Sequence, residues 1–412
     1  MKRMMLVGWA LVSLLGCESR DLSLCDITKS HCQESIYYAD LRIRGDGYDP
    51  FGGIPPMRTI DETQYRTELQ TEAQQSAQDP NSQQPWWDSA LALLHFMPSA
   101  GDSTQTSIDN QVQQVAAYYD PSTKKVTVID HKQAQSSSVQ MDNMITLAHE
   151  LVHALQDREL DLNIDPKSTD DLFASKALIE GDATLYEYLF AVELEPRVKQ
   201  FYSDPLAYAQ KERDMFMADG PKYDDPNQGL NFATLGPPYL AAMYLVYPLG
   251  GMWLAEHYVH GGNSAVRHAY GKAPKRSLEY LLPFGTEVPP ATGTDCAPIV
   301  PANQGFVAHG KDILGAVQVY AYMMGWGVLS DAAVAAASLW RDDVIFVAYN
   351  ASTKKTAVAW RIELAQPIEA ATLAQITTTD GPRVVQEGNT LLITASDDAE
   401  VAASWTPSTA CR

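Results

Sequence analysis

Apolar residues recur at helical spacing over two long stretches in the middle of the chain. The first runs from about Gln140 to Asp157 and the second from about Thr169 to Leu194. Side chains three and four residues apart share one helix face, so both stretches are predicted to be helices that pack in the core. The serines at 136–138 are candidate N-caps of the first helix.

Upstream of these helices the pattern changes to the alternation typical of strands. Val115, Ala117 and Tyr119 alternate before a turn at 120–123, and apolar residues alternate again over 126–130. This predicts a β-hairpin next to the first long helix. Its strand can bind an extended peptide through backbone hydrogen bonds, or the hairpin can serve only to support the helix.

The remaining patterns predict short elements. Residues 17–60 show no lasting period and indicate irregular structure, 63–84 a surface helix and 86–97 a compact apolar helix. After the ligand helix, the chain stays largely helical to about residue 282, with an interruption at Tyr247–Gly251. After a Pro- and Thr-rich loop at 283–302, helices are predicted at 314–324, 330–340 and 367–376, and strands at 344–349, 357–363, 383–386 and 391–395. This order is typical of an antiparallel α+β module.

The first residues indicate export. Lys2 and Arg3 precede an apolar stretch at 4–15, the pattern of a secretory signal peptide. The sequence LLGC at 14–17 resembles a bacterial lipobox, in which Cys17 is lipidated and becomes the mature N-terminus. The alternative is an ordinary signal peptide with an incidental cysteine. Glu18 follows, as in lipoproteins sent to the outer membrane of Gram-negative cells. We therefore expect a lipoprotein of the cell envelope, facing the periplasm or the exterior.

The charge of the chain is strongly acidic. With 30 Lys and Arg against 51 Asp and Glu, the net charge is −21, and loss of residues 1–16, with two basic and no acidic residues, makes it −23. Such a surface repels nucleic acid and anionic lipid headgroups, so no nucleic-acid partner is expected. No later stretch is long and apolar enough to span a membrane, so a lipid on Cys17 would be the anchor.

Four further cysteines are Cys25, Cys32, Cys296 and Cys411. An even number in an exported chain predicts two disulfides, for which three connectivities exist. Proximity favours a bond between Cys25 and Cys32, which leaves Cys296 for Cys411. None of the four has the spacing of a zinc finger.

The first long helix contains His149-Glu150-Leu151-Val152-His153. Two imidazoles four residues apart lie on one helix face and can chelate one zinc ion. Glu150 points to the neighbouring side of the turn, so it can act as general base on a water without being a ligand. The alternative is a pair of core histidines that donate to backbone carbonyls.

Other residues are candidates for supporting roles. Glu180 on the second helix is the candidate third ligand, which would leave one position of a tetrahedral zinc open. Asp157 and Asp182 are candidates to orient a ligand imidazole, or else solvated charges on a helix face. A tyrosine or histidine near the metal could donate to the oxyanion. Tyr247 is the first candidate; the alternatives are His257 and His268, and all three could instead be structural.

With these residues the chain resembles the gluzincins, the thermolysin-like zinc peptidases with HExxH and a downstream Glu. More closely, AAYYDP at 116–121, HELVHALQD at 149–157, EGDA at 180–183 and WRDD at 340–343 resemble uncharacterised exported bacterial and archaeal proteins. That group shares a YDP hairpin, HExxHALQD, EGxA and a late W-x-D strand module. The resemblance implies an α+β fold whose thermolysin-like core, a small sheet plus a helical bundle, surrounds the HExxH helix.

We therefore expect four segments: a signal peptide at 1–16, a tether and irregular region at 17–85, a zinc metallopeptidase-like domain at 86–290, and an α+β module at 291–412. The expected function is hydrolysis of peptide bonds in a peptide or protein substrate, with Zn²⁺ as cofactor and Glu150 as general base. One alternative is a non-catalytic lipoprotein whose metal staples two helices and whose surface binds a partner. A zinc hydrolase of non-peptide substrates is another.

Overall fold

The computed structural model describes residues 22–45, 53–78, 84–97, 108–109, 112, 115–132, 136–160, 162, 164–194, 204–219, 237–291, 305–377 and 381–404. The predicted signal peptide, Cys17, Cys296 and Cys411 lie outside these residues, so they stay predictions. Within the described ranges, helices combine with two small sheets, which confirms the α+β class.

Helices dominate the fold. In chain order they are α1 (Ser30–Ile43), α2 (Glu62–Gln78), α3 (Gln84–Leu93), α4 (Ser137–Leu160), α5 (Thr169–Leu194), α6 (Pro205–Phe216), α7 (Pro238–Tyr244), α8 (Val246–Ala269), α9 (Ser277–Leu281), α10 (Ala316–Gly325), α11 (Ser330–Ser338), α12 (Ala370–Ile376) and α13 (Ala399–Ser404). Among these described helices, none is long and apolar enough to cross a bilayer.

The strands form two sheets. The first has the order β1-β3-β2, from β1 (Met57–Asp61), β2 (Ala117–Asp120) and β3 (Lys125–Asp130). β1 pairs parallel to β3, and β2 pairs antiparallel to β3 with Tyr119 opposite Val126. The second sheet is antiparallel with the order β4-β5-β6-β8-β7, from β4 (Val307–Asp312), β5 (Trp340–Asn350), β6 (Lys355–Leu364), β7 (Arg383–Glu387) and β8 (Thr390–Ser396).

The HExxH helix α4 lies at the centre of the first sheet's core. Its apolar face packs against β3 and against α1 in one buried cluster that includes Leu147, Leu151, Val128 and Ile36. Ser136 accepts a hydrogen bond from the backbone N–H of Val139 at 3.3 Å and so caps the helix, as its position predicts.

Helix α1 corrects the expectation of irregular structure over residues 17–60. Ile36, Tyr37 and Leu41 are buried against α4, and a disulfide joins Cys25 to Cys32 just before and inside the helix. The helix was not evident from the sequence because its apolar face is short. Packing against α4, rather than a strong local pattern, stabilises it.

The position predicted for the helix interruption, Tyr247–Gly251, is wrong. The break falls at Leu245, and α8 begins at Val246, so Pro248 lies in the first turn. Proline is tolerated there because the first N–H groups of a helix have no intrahelical acceptor. The helix instead kinks at Gly261 and Gly262.

Hydrogen bonds connect the C-terminal sheet to the start of α5 through the turn before α10. The fully buried carboxylate of Asp343 on β5 accepts hydrogen bonds from the N–H groups of Leu314, Gly315, Trp340 and Trp360 at 2.8–2.9 Å. These contacts fix the turn before α10. The same turn accepts a hydrogen bond from the N–H of Asp170 at 3.0 Å through the carbonyl of Ile313.

One hydrophobic cluster includes residues on both sides of the boundary predicted at 290, among them Phe173, Leu249, Trp340 and Trp360. The core of the C-terminal sheet is therefore continuous with that of α5 and α8. The division of the chain into domains stays a prediction.

Candidate metal centre

Two long helices bring three predicted ligands together. His149 and His153 lie one turn apart on α4, and Glu180 lies on α5, which packs against α4. The two histidines are each 7% exposed, so the group lies in the interior with limited access to solvent.

The ligand atoms form a tight triangle. The Nε2 atoms of His149 and His153 are 3.1 Å apart, and Oε2 of Glu180 lies 3.3 Å from the first and 3.1 Å from the second. Ligands about 2.0–2.1 Å from a tetrahedral zinc ion are separated by about 3.3 Å. The triangle therefore has the dimensions that one small metal ion requires.

The hydrogen bonds behind the imidazoles decide which ring nitrogens face the triangle. Nδ1 of His149 lies 2.9 Å from Oε2 of Glu187, and Nδ1 of His153 lies 2.8 Å from Oε1 of Gln156. Both partners are acceptors, so in the neutral rings each Nδ1 carries the proton and each Nε2 presents a lone pair. Two lone pairs and a carboxylate oxygen then converge on one point.

Acceptors that converge in this way repel one another unless a positive charge lies between them. Burial lowers the pKa of His149, but the carboxylates of Glu180 and Glu187 raise it by more. The pKa of His149 therefore lies well above its ordinary value. A proton satisfies the group when no metal is bound, and a metal ion can replace it. His149, Glu150 and His153 therefore form a group that could bind a metal ion. Oε2 of Glu180 contacts the same two imidazoles and offers a further ligand atom.

Glu150 lies beside the triangle. Its carboxylate is within 4.8 Å of the histidine ligand atoms, and its Oε2 accepts a hydrogen bond from the N–H of Tyr119 at 2.7 Å. Burial raises the pKa of Glu150, although the nearby imidazoles of His153 and His149 lower it. The hairpin strand β2 thus holds this carboxylate in place. Of the two glutamates, Glu180 is closer to both imidazoles.

Two side chains that support the site were missed in the sequence. Glu187, which contacts His149, lies on α5 seven residues after Glu180, and Gln156 lies three residues after His153. Residues at these spacings share a helix face, so the pattern could have identified both.

The two aspartates that were candidates to orient a ligand imidazole have different contacts. Asp182 supports His153 indirectly, through Gln156. Its Oδ2 accepts a hydrogen bond from Nε2 of Gln156 at 2.8 Å, and Gln156 contacts His153. Asp157 instead contacts the hairpin: it accepts hydrogen bonds from the hydroxyl of Tyr119 and from Nζ of Lys124. Its contacts fix the hairpin to α4 rather than orient an imidazole.

Among the three candidate oxyanion donors, Tyr247 is the one near the metal group. Its ring centroid lies 6.0 Å from that of His149, and burial, followed by the charges of Glu180 and Glu150, raises its pKa well above the ordinary value. The hydroxyl is therefore protonated at neutral pH and able to donate.

The other two candidates lie elsewhere on α8. His257 packs between the rings of Trp253 and Phe284, and Nδ1 of His268 contacts the carbonyl of Ser264. Among the described residues, neither contacts the metal group.

The chain was also compared with known proteins. No protein-family model, no curated protein and no solved structure matches it. The geometry of this site is therefore the main indication of function.

Proposed function

We propose that the protein is a zinc metallopeptidase with His149, His153 and Glu180 as ligands and a thermolysin-like arrangement of the site. The observation that carries this proposal is the triangle of two Nε2 atoms and one Oε2 atom, 3.1–3.3 Å on each side, beside the carboxylate of Glu150. A zinc ion held by these three residues would supply Lewis acidity towards a water molecule and the scissile carbonyl.

The residues around the triangle have the chemistry of peptide hydrolysis. Glu150, with its raised pKa, accepts a proton from the attacking water and passes it to the leaving amine. The hydroxyl of Tyr247 donates to the oxyanion of the tetrahedral intermediate. Glu187 and Gln156 hold the two ligand imidazoles in one tautomer.

The outer edge of β2 is the place for an extended peptide. β2 is an edge strand of its sheet, and the N–H of Tyr119, which points away from β3, donates to Glu150. A peptide paired along this edge passes the general base. Its N–H donates to the outward carbonyl of Tyr119, because the N–H of Tyr119 already donates to Glu150. A substrate bound in this way is selected by its extended conformation more than by its side chains.

We further propose that Cys17 carries a lipid anchor and that the enzyme acts in the bacterial cell envelope. The LLGC sequence after a basic and apolar start supports this. The disulfide between Cys25 and Cys32 agrees with an oxidising compartment.

A non-catalytic metal protein is the second candidate, and one observation favours it. The ligand atoms of Glu150 and of the two histidines lie within 4.8 Å of one another. If Glu150 became a fourth ligand, the site would be closed, as structural zinc sites are.

One pair of variants separates the two functions. Zinc affinity and cleavage of a mixed peptide library are measured on the purified full chain and on E150Q and E150A. For the peptidase, both variants bind zinc as tightly as the wild type and lose at least about a hundredfold in cleavage. Equal cleavage by E150Q overturns the proposed mechanism. A large loss of zinc affinity in E150A, with no cleavage by the wild type, establishes the structural site instead.

A further inference from the structure

The N-terminal helix α1 ends next to the metal centre. Its C-cap residue, Arg44, is 3% exposed, and Nη1 of its guanidinium donates to Oδ2 of Asp182 at 2.9 Å. Asp182 is itself fully buried. An ion pair removed from water in this way is costly to form, and it is retained only where both charges are well placed.

The same oxygen of Asp182 also contacts Gln156, the residue that is hydrogen-bonded to the predicted ligand His153. Oδ2 of Asp182 accepts from Nε2 of Gln156 at 2.8 Å, and Oε1 of Gln156 lies 2.8 Å from Nδ1 of His153. Gln156 is fully buried and donates as well to the carbonyl of Ile179 at 2.9 Å. A continuous chain of hydrogen bonds therefore runs from Arg44 through Asp182 and Gln156 to His153.

These hydrogen bonds fix the orientation of the side-chain amide of Gln156. Its NH₂ group must face Asp182, because a carboxylate paired with Arg44 is an acceptor. Its oxygen must then face His153, which puts the imidazole proton on Nδ1 and the lone pair on Nε2. If Asp182 lost its charge partner, the preference for this orientation would weaken.

Several contacts hold Arg44 in position. Its guanidinium lies over the ring of Tyr186, 4.7 Å from the centroid, and its carbonyl accepts from Nη1 of Arg267 at 3.2 Å. One residue earlier, the carbonyl of Ile43 accepts from Nδ2 of Asn263 at 2.9 Å. The end of α1 is thus fixed by α5 and α8, the helices that carry Glu180 and Tyr247.

We infer that Arg44 is a positioning residue of the metal centre, which sets metal affinity through Asp182, Gln156 and His153. The inference rests on the metal site of the proposed function and extends it to a residue far from the HExxH motif. It makes the end of α1 part of the metal centre.

The test measures Zn²⁺ affinity by chelator competition, and the visible spectrum of the Co²⁺-loaded protein, for the full chain and its variants. Arg44→Met is expected to weaken zinc binding by about tenfold and to change the cobalt spectrum, as loss of an outer hydrogen-bond partner does at other metal sites. Arg44→Lys keeps the charge and is expected to restore most of the affinity. It is measured also because the Met variant leaves the charge of Asp182 buried and could fail to fold.

Two further variants make the test specific. Arg42→Met is the matched control, since Arg42 lies on the same helix but pairs with Glu193 at the surface; its affinity should equal that of the wild type. Gln156→Leu breaks the chain of hydrogen bonds, so Arg44→Met should cause no further loss of affinity in that background.

Each result has a distinct meaning. Wild-type affinity and spectrum in folded Arg44→Met overturn the inference and leave the proposed function intact. An equal loss in Arg42→Met also overturns it, because the effect is then not specific to Arg44. So does the full loss from Arg44→Met in the Gln156→Leu background, because Arg44 then does not act through Gln156. A wild-type chain that binds neither Zn²⁺ nor Co²⁺ removes the metal site and the proposed function together.

Discussion

Gly181 on α5 and Gly250 on α8 bring the backbones of the two helices into direct contact. A Cβ atom on Gly250 would lie 3.0 Å from Cα of Gly181 and would overlap the carbonyl oxygen of Ala177. The two glycines are adjacent to Glu180 and close to Tyr247 in the chain. This close crossing therefore sets the distance between the predicted third ligand and the predicted oxyanion donor.

We predict that Gly250→Ala destabilises the fold by about 3 kcal/mol, because overpacking against rigid backbone cannot be relieved by a rotamer change. Gly251→Ala is the matched control. Its Cβ would lie 3.3 Å from Cγ2 of Thr184, a side chain that can shift. Its free energy of unfolding should stay within about 1 kcal/mol of the wild type, since alanine also favours the helix. Urea unfolding measures both, and equal stability of the two variants would contradict the contact.

The carboxylate of Glu187 gives a second prediction. It holds Nδ1 of His149 at 2.9 Å, so Glu187→Ala should lower zinc affinity by about 10- to 100-fold. Glu193→Ala, on the same helix but paired at the surface with Arg42, should change the affinity less than about twofold. Chelator competition measures both dissociation constants. Equal affinities would show that Glu187 does not orient the imidazole.

The pattern of the sequence was sufficient for the two ligand helices. α4 and α5 are long and rich in apolar residues, so a helix was predicted over each. The four-residue spacing of His149 and His153 then places both on one face of α4. The C-terminal strands β5, β6, β7 and β8 were predicted because short runs rich in apolar and β-branched residues lie between clear turns.

The support of the site was harder to predict. Arg44 pairs with Asp182 across 138 positions of the chain, and a single sequence has no signal for such a contact. α1 was missed because its stability comes from α4, which is distant in sequence. The edge strand β4 was missed as well; it is mostly exposed and has no apolar alternation.

The disulfide between Cys25 and Cys32 should contribute to the stability of α1. The bond closes a loop with a sequence separation of 7, and restriction of the unfolded chain by so short a loop is worth about 2 kcal/mol. The variant with both cysteines changed to serine should lose about this amount in urea unfolding. Addition of reductant to the wild type should give the same loss. No change in either experiment would mean that the bond does not constrain the unfolded chain.

The last prediction concerns Asp170, which is buried at the start of α5. Burial raises its pKa from 3.8 to about 6, although hydrogen bonds from the N–H and hydroxyl of Ser277 oppose the rise. The folded state therefore binds the proton more tightly than the unfolded state does. The resulting stabilisation is fully present below the unfolded pKa, near pH 4, and is lost as the pH rises through about 6.

A shift of this size corresponds to about 3 kcal/mol. We predict that the free energy of unfolding of the wild type, minus that of Asp170→Asn, falls by roughly this amount between pH 4 and pH 7 and is constant above. Urea unfolding in excess chelator measures it without a contribution from metal release. A flat difference for Asp170→Asn would show that this carboxylate is ionised in the folded protein throughout the range.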